Sequence, residues 1–320
     1  MKRNKLAAAA IAVVAALTLA ACGGGGSAEP AASGAGSAAA GSSSEPLILG
    51  SITDIASWAP SDAHVGHVLQ PYQAPYDSLI MRAPDGTLEP MLATEWSYND
   101  DNTVLTLKLR DDVTFSDGTA FDATAAKANL DYFKEKATRQ AAQLANVASV
   151  EAPDATTLVI TLTAPDPALE YYLSQAAGLM ASPAALGTEG IVTNPVGSGP
   201  YVLDPAQSVA QQQYVFTARE GYWNPELQKF AGVTFKVLTD PTAMVNAMAT
   251  GEIDAGILSP ATFEQAQGSG ATILEYTTDW AGLLLFDRDG TKIPALKEVK
   301  VRQALNHAFD RATLLASFNA

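Results

Sequence analysis

Two segments in which large apolar residues recur at every second position constrain the fold of this chain more than any other feature. The first is TVLTLKLR (103–110), in which polar residues separate Leu105, Leu107 and Leu109, and the second is TTLVITLTAP (156–165). Successive side chains of a β-strand point to opposite faces, so each segment has one apolar and one polar face. We therefore expect two half-buried strands that share an antiparallel sheet.

Other segments predict further strands and helices. A short buried strand is predicted at 47–52 and further strands at 211–220 and 232–240, with one or two buried strands within 272–290. Helices are predicted from 123 to about 145, over 167–182, from Pro241 to near Gly251, and over 298–318, where Val301, Leu305, Ala308 and Phe309 share one face. Strands that alternate with helices indicate an α/β protein.

The amino terminus has the pattern of a secretory signal peptide. Basic residues precede an unbroken apolar run (6–21) that is short for a membrane span. The run ends in LAAC (19–22), which resembles a bacterial lipobox, and Cys22 is the only cysteine of the chain. We expect residues 1–21 to be a lipoprotein signal peptide and Cys22 to carry the lipid. An ordinary signal peptide followed by an incidental cysteine is the alternative.

Residues 22–46 form a segment rich in glycine, serine and alanine. It lacks apolar periodicity, so it cannot bury enough surface to offset the entropy of the chain. As a flexible coil, a segment of this length reaches roughly 25 Å on average. A lipid on Cys22 and this linker would together anchor a globular body to a membrane without spanning it.

The globular part is large and strongly acidic. About 275 residues follow the linker, which is enough for two hydrophobic cores. Without residues 1–21 the chain keeps 16 Lys and Arg against 34 Asp and Glu, a net charge of −18. Such a surface repels phosphate backbones, so nucleic acid is not an expected partner.

Three aspartates near the first predicted helix raise the question of acid–base catalysis. Asp117 stands with Gly118 in a turn after a strand, whereas Asp122 directly precedes the helix and is a natural N-cap. Asp131 falls on the polar side of the same helix. Each carboxylate has its own structural role, so we expect no catalytic carboxylate pair.

Other residue types that carry chemistry are sparse. His64 and His67 could form a metal pair on a helix, but without carboxylate or thiolate support we interpret them as part of a polar loop. The glycines that flank Ser198 lack the spacing of a nucleophile elbow and more readily permit a tight bend. The chain has no HExxH or CxxC motif. We therefore expect no metal site, no cofactor and no enzymatic activity.

Five segments, taken in order, resemble the solute-binding proteins of ABC importers, family 5, which take up dipeptides, oligopeptides and nickel. These segments are YDSL…LDYF (76–133), NPVGSGPYVL (194–203), REGYWNP (219–225), PTAMVNAMATGEIDAG (241–256) and VRQALNHAFDRATLL (301–315). The resemblance implies a two-lobed, type II periplasmic-binding-protein (Venus flytrap) fold that closes on a solute.

The resemblance also implies a domain organisation. Residues 47–285 would form the first lobe, with an inserted subdomain at about 80–195, and residues 286–320 would begin the second lobe. Members of the family are considerably longer than 320 residues. The chain is therefore expected to be truncated at its carboxyl terminus, with the second lobe largely missing.

Five residues are candidates for ligand binding. Ser57 and Trp58 follow the first strand, where ligands bind in open α/β sheets. Tyr76 and Trp280 offer aromatic surface of the kind that clamps solutes, with core packing as the alternative. The resemblance places Ser198 and its flanking glycines near the junction of the lobes.

The resulting hypothesis is a lipid-anchored extracytoplasmic protein that delivers a small solute to an ABC permease and its ATPase. Peptide is the default solute, although relatives also take nickel chelates and sugars. A lipid-anchored secreted hydrolase and a surface sensor or adhesin of the same fold are the alternatives. The sequence leaves the identity of the solute open.

Overall fold

The computed structural model describes residues 43–274 and 283–318. Its strands are β1 Leu47–Ser51, β2 Ile80–Arg82, β3 Leu88–Pro90, β4 Ala93–Tyr98, β5 Val104–Leu109, β6 Val147–Asp154, β7 Thr157–Leu162, β8 Tyr201–Leu203, β9 Gln213–Ala218, β10 Gly232–Val237 and β11 Ala255–Gly256. Its α-helices are α1 Ala123–Lys136, α2 Leu169–Tyr172, α3 Gly190–Thr193, α4 Pro241–Ala249, α5 Phe263–Gly268, α6 Val299–His307 and α7 Arg311–Phe318. None of the helices in these two ranges is long and apolar enough to cross a membrane.

A five-stranded sheet, called the mixed sheet below, has the strand order β11-β1-β10-β9-β8. β1 pairs in parallel with both β10 and β11, whereas β9 runs antiparallel to β10 and β8. Ser51 at the end of β1 lies opposite Val237 at the end of β10. The carboxyl ends of the three parallel strands therefore meet at one edge.

β1 is the predicted strand at 47–52, but it is half-buried rather than buried. Only Gly50 in this strand is fully covered, because α4 packs against it. A Cβ atom built on Gly50 would lie 2.2 Å from the sulfur of Met244, and one on Gly256 in β11 would lie 2.4 Å from the same atom. These two glycines let helix α4 approach the sheet closely.

The second sheet is antiparallel and has the order β4-β5-β7-β6, with β2 and β3 forming a separate hairpin. The alternating segments form β5 and β7, which pair with each other with Leu107 opposite Leu158. Both leucines are fully buried, as are their same-face neighbours. Both sheets contribute to one hydrophobic core. The pairing and the buried faces predicted from the alternation are confirmed.

The three aspartates have the separate structural roles expected of them. Asp117 accepts a hydrogen bond from the Thr119 amide in the turn (2.9 Å), and Asp122 caps α1 by accepting from the Ala125 amide (2.8 Å). Asp131 pairs with Lys127 one turn away on the exposed side of α1. The described geometry brings no two of these carboxylates together.

The helix predicted over 167–182 is wrong for most of its length. α2 ends at Tyr172, and the chain continues through a turn and a short 3-10 helix, Ala176–Gly178, into a buried segment that is extended from Leu179. The Leu79 amide donates to the Gly178 carbonyl (2.9 Å), and the Met180 amide donates to the Asp77 carbonyl (3.0 Å). This long-range backbone pairing satisfies groups that a helix would have paired locally, so tertiary context overrides helix propensity.

The predictions for the carboxyl-terminal part need two further corrections. A single helix with Ala308 and Phe309 on its apolar face is wrong, because α6 ends at His307 and Asp310 caps α7 by accepting from the Thr313 amide (3.2 Å). The described parts of 272–290 contain no strand, and Phe286 is 88% exposed. Residues 275–282 of that prediction lie outside the described residues.

Candidate functional site

The edge where β1, β10 and β11 end collects three connecting segments. Residues 52–59 leave β1, residues 238–240 leave β10, and residues 257–259 leave β11. The Leu238 amide donates to the Ser51 carbonyl (2.8 Å), which ties the first two segments together. In open α/β sheets ligands bind outside the carboxyl ends of the strands. This edge is therefore the candidate functional site.

The segment 52–59, called the β1 loop below, crosses from β1 towards β9 and is anchored there by Trp58. The Trp58 ring meets Tyr214 and Phe216 of β9 nearly edge-on, with ring centroids 5.3 Å and 5.2 Å apart, and it lies 5.6 Å from the Tyr72 ring. Its side chain is only 1% exposed. Edge-to-face contacts of this kind stabilise buried aromatic clusters beyond the area that they bury.

Three tyrosine hydroxyls hold the backbone of the β1 loop. Tyr72 donates to the Ser57 carbonyl (2.5 Å), Tyr76 donates to the Trp58 carbonyl (2.8 Å), and Tyr214 contacts both the Ile55 carbonyl (3.0 Å) and the Asp54 carboxylate (2.7 Å). These contacts satisfy backbone carbonyls that have no strand or helix partner. These hydrogen bonds hold the β1 loop in one conformation at the edge of the mixed sheet where β1, β10 and β11 end.

The ionisation behaviour of these tyrosines suits their role as donors. Burial raises the pKa of Tyr72 and Tyr76 above the usual value of a phenol. Burial, followed by the hydrogen bond to Asp54, raises the pKa of Tyr214 to about 12. All three hydroxyls therefore keep their protons at physiological pH and continue to donate.

The buried carboxylate of Asp77 connects residues 76–133 to residues 219–225, which are two of the five segments on which the family resemblance rests. Asp77 accepts hydrogen bonds from the Tyr222 hydroxyl (2.8 Å) and the Trp223 indole (2.9 Å). Burial raises the pKa of Asp77 to about 6, against the lowering effect of Trp223 and Tyr222. Sequence analysis missed this residue, although it directly follows Tyr76 in the quoted segment.

The segment around Ser198 packs against the chain next to Asp77. A Cβ atom on Gly197 would lie 2.1 Å from the Pro75 carbonyl oxygen, and one on Gly199 would lie 2.5 Å from the Pro75 carbonyl carbon. Neither glycine has a positive φ, so close packing of backbones, rather than a tight bend, requires glycine here. The Ser198 hydroxyl is fully buried and lowers the pKa of Asp77, but it has no partner in hydrogen-bond geometry among the described residues.

Arg219 fixes this junction from the outside. Its guanidinium donates to the carbonyl oxygens of Ser198 (2.9 Å), Thr114 (2.7 Å) and Phe115 (2.9 Å). The planar fork of five donors allows one arginine to bridge several carbonyls at once. Arg219 therefore connects two segments, 194–203 and its own segment 219–225, to the turn that follows β5.

The structure separates the five predicted ligand residues into three groups. Ser57 is half-buried in the β1 loop and accepts a hydrogen bond from the Ala59 amide (3.1 Å). Trp58, Tyr76 and Ser198 are buried inside the protein. Trp280 lies outside the described residues, as does the predicted lipidation site Cys22. Contact of these residues with a ligand stays a prediction.

The β1 loop also depends on residues that sequence analysis did not select. Tyr72 lies in a short 3-10 helix, and Tyr214 alternates with Phe216 along β9. The alternation marks Tyr214 as inward-facing, but it does not show that its hydroxyl meets Asp54. The two histidines do not share a regular α-helix. His64 lies outside any helix and accepts a hydrogen bond from the Val65 amide at Nδ1 (2.8 Å), whereas His67 lies in a short 3-10 helix.

Comparison with known proteins gives consistent similarities. The family model described as bacterial extracellular solute-binding proteins, family 5 Middle, matches residues 87–319. The glutathione-binding protein GsiB of Escherichia coli (strain K12) is 35% identical over 252 residues, which cover 75% of this chain and 47% of GsiB. The chain spans about half the length of the curated relatives it matches.

Solved structures agree with the family match. NikA of Brucella suis, in complex with Fe(III)-EDTA, is 29% identical with a TM-score of 0.60, over 70% of this chain and 47% of NikA. The ABC transporter substrate-binding protein CtaP of Listeria monocytogenes is 26% identical with a TM-score of 0.65, over 84% of this chain and 55% of CtaP. The expected α/β, type II periplasmic-binding-protein fold is confirmed. This chain belongs to family 5 of the bacterial extracellular solute-binding proteins.

Proposed function

We propose that this protein is the solute-capturing component of an ABC importer and that peptide is its favoured solute. Membership of a solute-binding family carries the proposal. The relative GsiB supports it by its name, which describes binding of glutathione, itself a peptide. In this proposal the protein makes and breaks no covalent bond.

The β1 loop supplies one wall of the proposed binding cleft. Its backbone is held by tyrosine hydroxyls and its aromatic anchor is buried, so little entropy remains to be lost when a solute binds. A second lobe would supply the opposing wall. We propose that residues 47–285, with the inserted subdomain at about 80–195, form the first lobe and that residues 286–320 begin the second.

Closure of the two lobes on the solute would produce tight binding. A solute shifts an open–closed equilibrium only by its difference in affinity for the two states. Reversing a 1:99 balance takes about 5.5 kcal/mol of differential affinity. That free energy must come from contacts that the solute makes with both lobes in the closed state.

Delivery to a membrane permease and its ATPase suits an anchored protein on the outer side of the cytoplasmic membrane. We place the anchor at Cys22 after removal of residues 1–21, with residues 22–46 as the tether. Lipid attachment of this kind keeps the protein at the membrane while the tether lets its globular part reach the permease.

A binding screen on the full-length protein without its signal peptide tests the proposal. The probes are trialanine, glutathione, a nickel–histidine chelate and maltotriose, and the readouts are thermal shift followed by calorimetry. We expect one peptide probe to raise the melting temperature and to bind with one-to-one stoichiometry. Absence of binding by both peptides contradicts peptide as the solute class. Conversion of a probe to a product, detected by mass spectrometry, would favour the hydrolase alternative.

A further inference from the structure

A cavity of about 270 Å³ lies next to the buried carboxyl group of Asp77 and is called the Asp77 cavity below. Its first wall comes from β2 and the residues before it, with Met81, and from Leu179 beyond α2. Its second wall comes from β8 and from the segment after β9, with Tyr201 and Tyr222. Some of the lining residues are exposed, so the cavity is open to solvent, and its volume admits several water molecules.

The Asp77 carboxyl group joins the two walls. Asp77 belongs to the first wall, where its backbone carbonyl accepts a hydrogen bond from the Met180 amide (3.0 Å). Its side chain is almost completely buried and accepts from the Tyr222 hydroxyl (2.8 Å) and the Trp223 indole (2.9 Å), both in the segment after β9. One carboxyl group therefore holds together parts of the chain that are 145 positions apart.

The charged groups around Asp77 leave it without an ion pair within the described residues. Burial raises the pKa of Asp77 to about 6, although the charge of Arg219 acts in the opposite direction. The Arg219 guanidinium donates to backbone carbonyls instead, and Arg110 lies over the Trp223 ring at 4.2 Å and pairs with Asp112. The other titratable or charged side chains that line the cavity are Tyr76, Arg82, Tyr201 and Tyr222. Among the described residues of the lining, Asp77 is thus the only carboxyl group, and none is a histidine.

Burial favours the neutral form of this carboxyl group. A buried carboxylate without a counter-charge costs free energy, because the charge has been removed from water. The neutral form also carries one O–H donor. The hydroxyl oxygen of Ser198 can accept from that donor, since it is fully buried beside Asp77 and has no partner in hydrogen-bond geometry among the described residues. Ionisation removes the donor and leaves a charge that water in the cavity would stabilise.

We propose that Asp77 is a pH-sensitive switch that closes and opens the contact between the two walls. The neutral carboxyl group holds the walls together, whereas the ionised carboxylate draws water into the Asp77 cavity and loosens the contact. Since the closed form binds the proton more tightly than the open form, closure is strongest below about pH 4 and weakens as the pH rises through about 6. The switch itself does not depend on the proposed function.

The switch reaches the candidate site through one residue. Tyr76 directly precedes Asp77, and its hydroxyl donates to the Trp58 carbonyl at the end of the β1 loop (2.8 Å). Loosening of the first wall at Tyr76 therefore frees the end of this loop. Because ordering a loop on binding costs free energy, the switch makes capture of a solute stronger at acidic pH, a consequence that rests on the proposed function.

Amide hydrogen exchange with mass spectrometry measures the opening in the full-length protein without its signal peptide. The reporter of the contact is the amide of Tyr201, which donates across it to the Ala74 carbonyl (3.0 Å). After correction for the intrinsic effect of pH on exchange, we expect the open population to rise about tenfold between pH 5 and pH 7.5. The exchange of the Trp58 amide, which donates to the Val192 carbonyl (2.9 Å), should rise in parallel.

Three variants separate the switch from a general effect of pH. Asp77→Asn keeps the size of the side chain but removes its titration, so the ratio between the two pH values should fall to near one. Asp131→Asn, on the exposed side of α1, is the matched control and should keep the tenfold response. Tyr222→Phe removes a donor to the carboxylate and should move the midpoint of the opening to higher pH, which tests the switch even if Asp77→Asn does not fold.

Three results would overturn the switch. The first is equal exchange of the Tyr201 amide at both pH values, and the second is a tenfold response that persists in Asp77→Asn. The third is an equal rise in the exchange of β5 and β7, which line no part of the cavity, because global unfolding would then explain the result. An unchanged Trp58 amide beside an open contact would overturn the link to the candidate site.

Discussion

The hydroxyl of Tyr76 donates a 2.8 Å hydrogen bond to the carbonyl oxygen of Trp58, and both side chains are almost completely buried. This contact fixes the end of the β1 loop to the residue that precedes Asp77. The same stretch of chain thus serves both the candidate site and the buried carboxylate. We therefore expect a substitution in the β1 loop to alter the surroundings of Asp77, and a substitution next to Asp77 to alter the β1 loop.

Tyr76→Phe should destabilise the protein by about 1–3 kcal/mol, because the buried Trp58 carbonyl loses the only hydrogen-bond donor that the described residues offer it. Urea denaturation measures the loss, and hydrogen exchange should show faster opening of residues 55–60. Tyr171→Phe is the matched control, since the Tyr171 side chain is exposed and its hydroxyl makes no hydrogen bond in the described structure. Equal stability of the two variants would contradict this role of the Tyr76 hydroxyl.

Gly197→Ala should destabilise the protein by about 3 kcal/mol, because the added methyl group would overlap the Pro75 carbonyl, and backbone on both sides resists movement. The control is Gly268→Ala, at the end of α5, where a Cβ atom would meet no atom within 4 Å. Thermal or urea unfolding of both variants checks the difference. A Gly197→Ala protein as stable as the control would rule out close packing as the reason for this glycine.

Asp77 should contribute a specific pH dependence to stability. Burial raises its pKa in the folded protein to about 6, whereas an unfolded aspartate titrates near 4. The folded state therefore holds this proton to higher pH than the unfolded state does. The stabilisation that comes from the protonated Asp77 carboxyl is fully present below about pH 4. It is lost as the pH rises through about 6, and the loss amounts to about 3 kcal/mol.

The substitution Asp77→Asn removes this titration. The free energy of unfolding of the variant should therefore fall less between pH 4 and pH 7 than that of the wild type. Urea denaturation across this range provides the comparison. Tyr222→Phe removes one donor to the carboxylate, so it should raise the pKa of Asp77 further and move the loss of stability to higher pH. Parallel pH profiles for the wild type and Asp77→Asn would contradict the buried, raised-pKa carboxyl.

Leu107→Ala should destabilise the protein by about 2–5 kcal/mol, because Leu107 of β5 is fully buried and the substitution would leave a cavity in the hydrophobic core. Thr106→Ala, on the opposite face of the same strand, is the control and should cost much less. Chemical denaturation gives both values. Similar costs for the two variants would mean that the leucine face does not carry the core.

Cys22→Ser should release the protein from the membrane, because the hydroxyl cannot carry the thioether-linked lipid that we propose. Cell fractionation and mass spectrometry of the amino terminus check the outcome. Ser37→Ala, within the tether, should leave the protein in the membrane fraction. Membrane retention of Cys22→Ser without lipid would contradict anchoring at this residue.

Local patterns in the sequence determined the elements whose side chains interact with near neighbours or obey a simple period. The alternation in β5 and β7, the Asp122 cap of α1 and the start of α4 at Pro241 are of this kind, and each was predictable. Their physical causes act over one or two turns of chain or over one strand. A resemblance in five ordered segments identified the family.

The tertiary structure alone decided the chemistry of the candidate site. Asp77 and Tyr222 are 145 positions apart, and Asp54 and Tyr214 are 160 positions apart, so no periodicity along the chain could place them together. The same holds for the 167–182 segment, where distant backbone pairing replaced a predicted helix. Hydrogen bonds and burial depend on distance in space, and only the tertiary fold brings these groups within reach of one another.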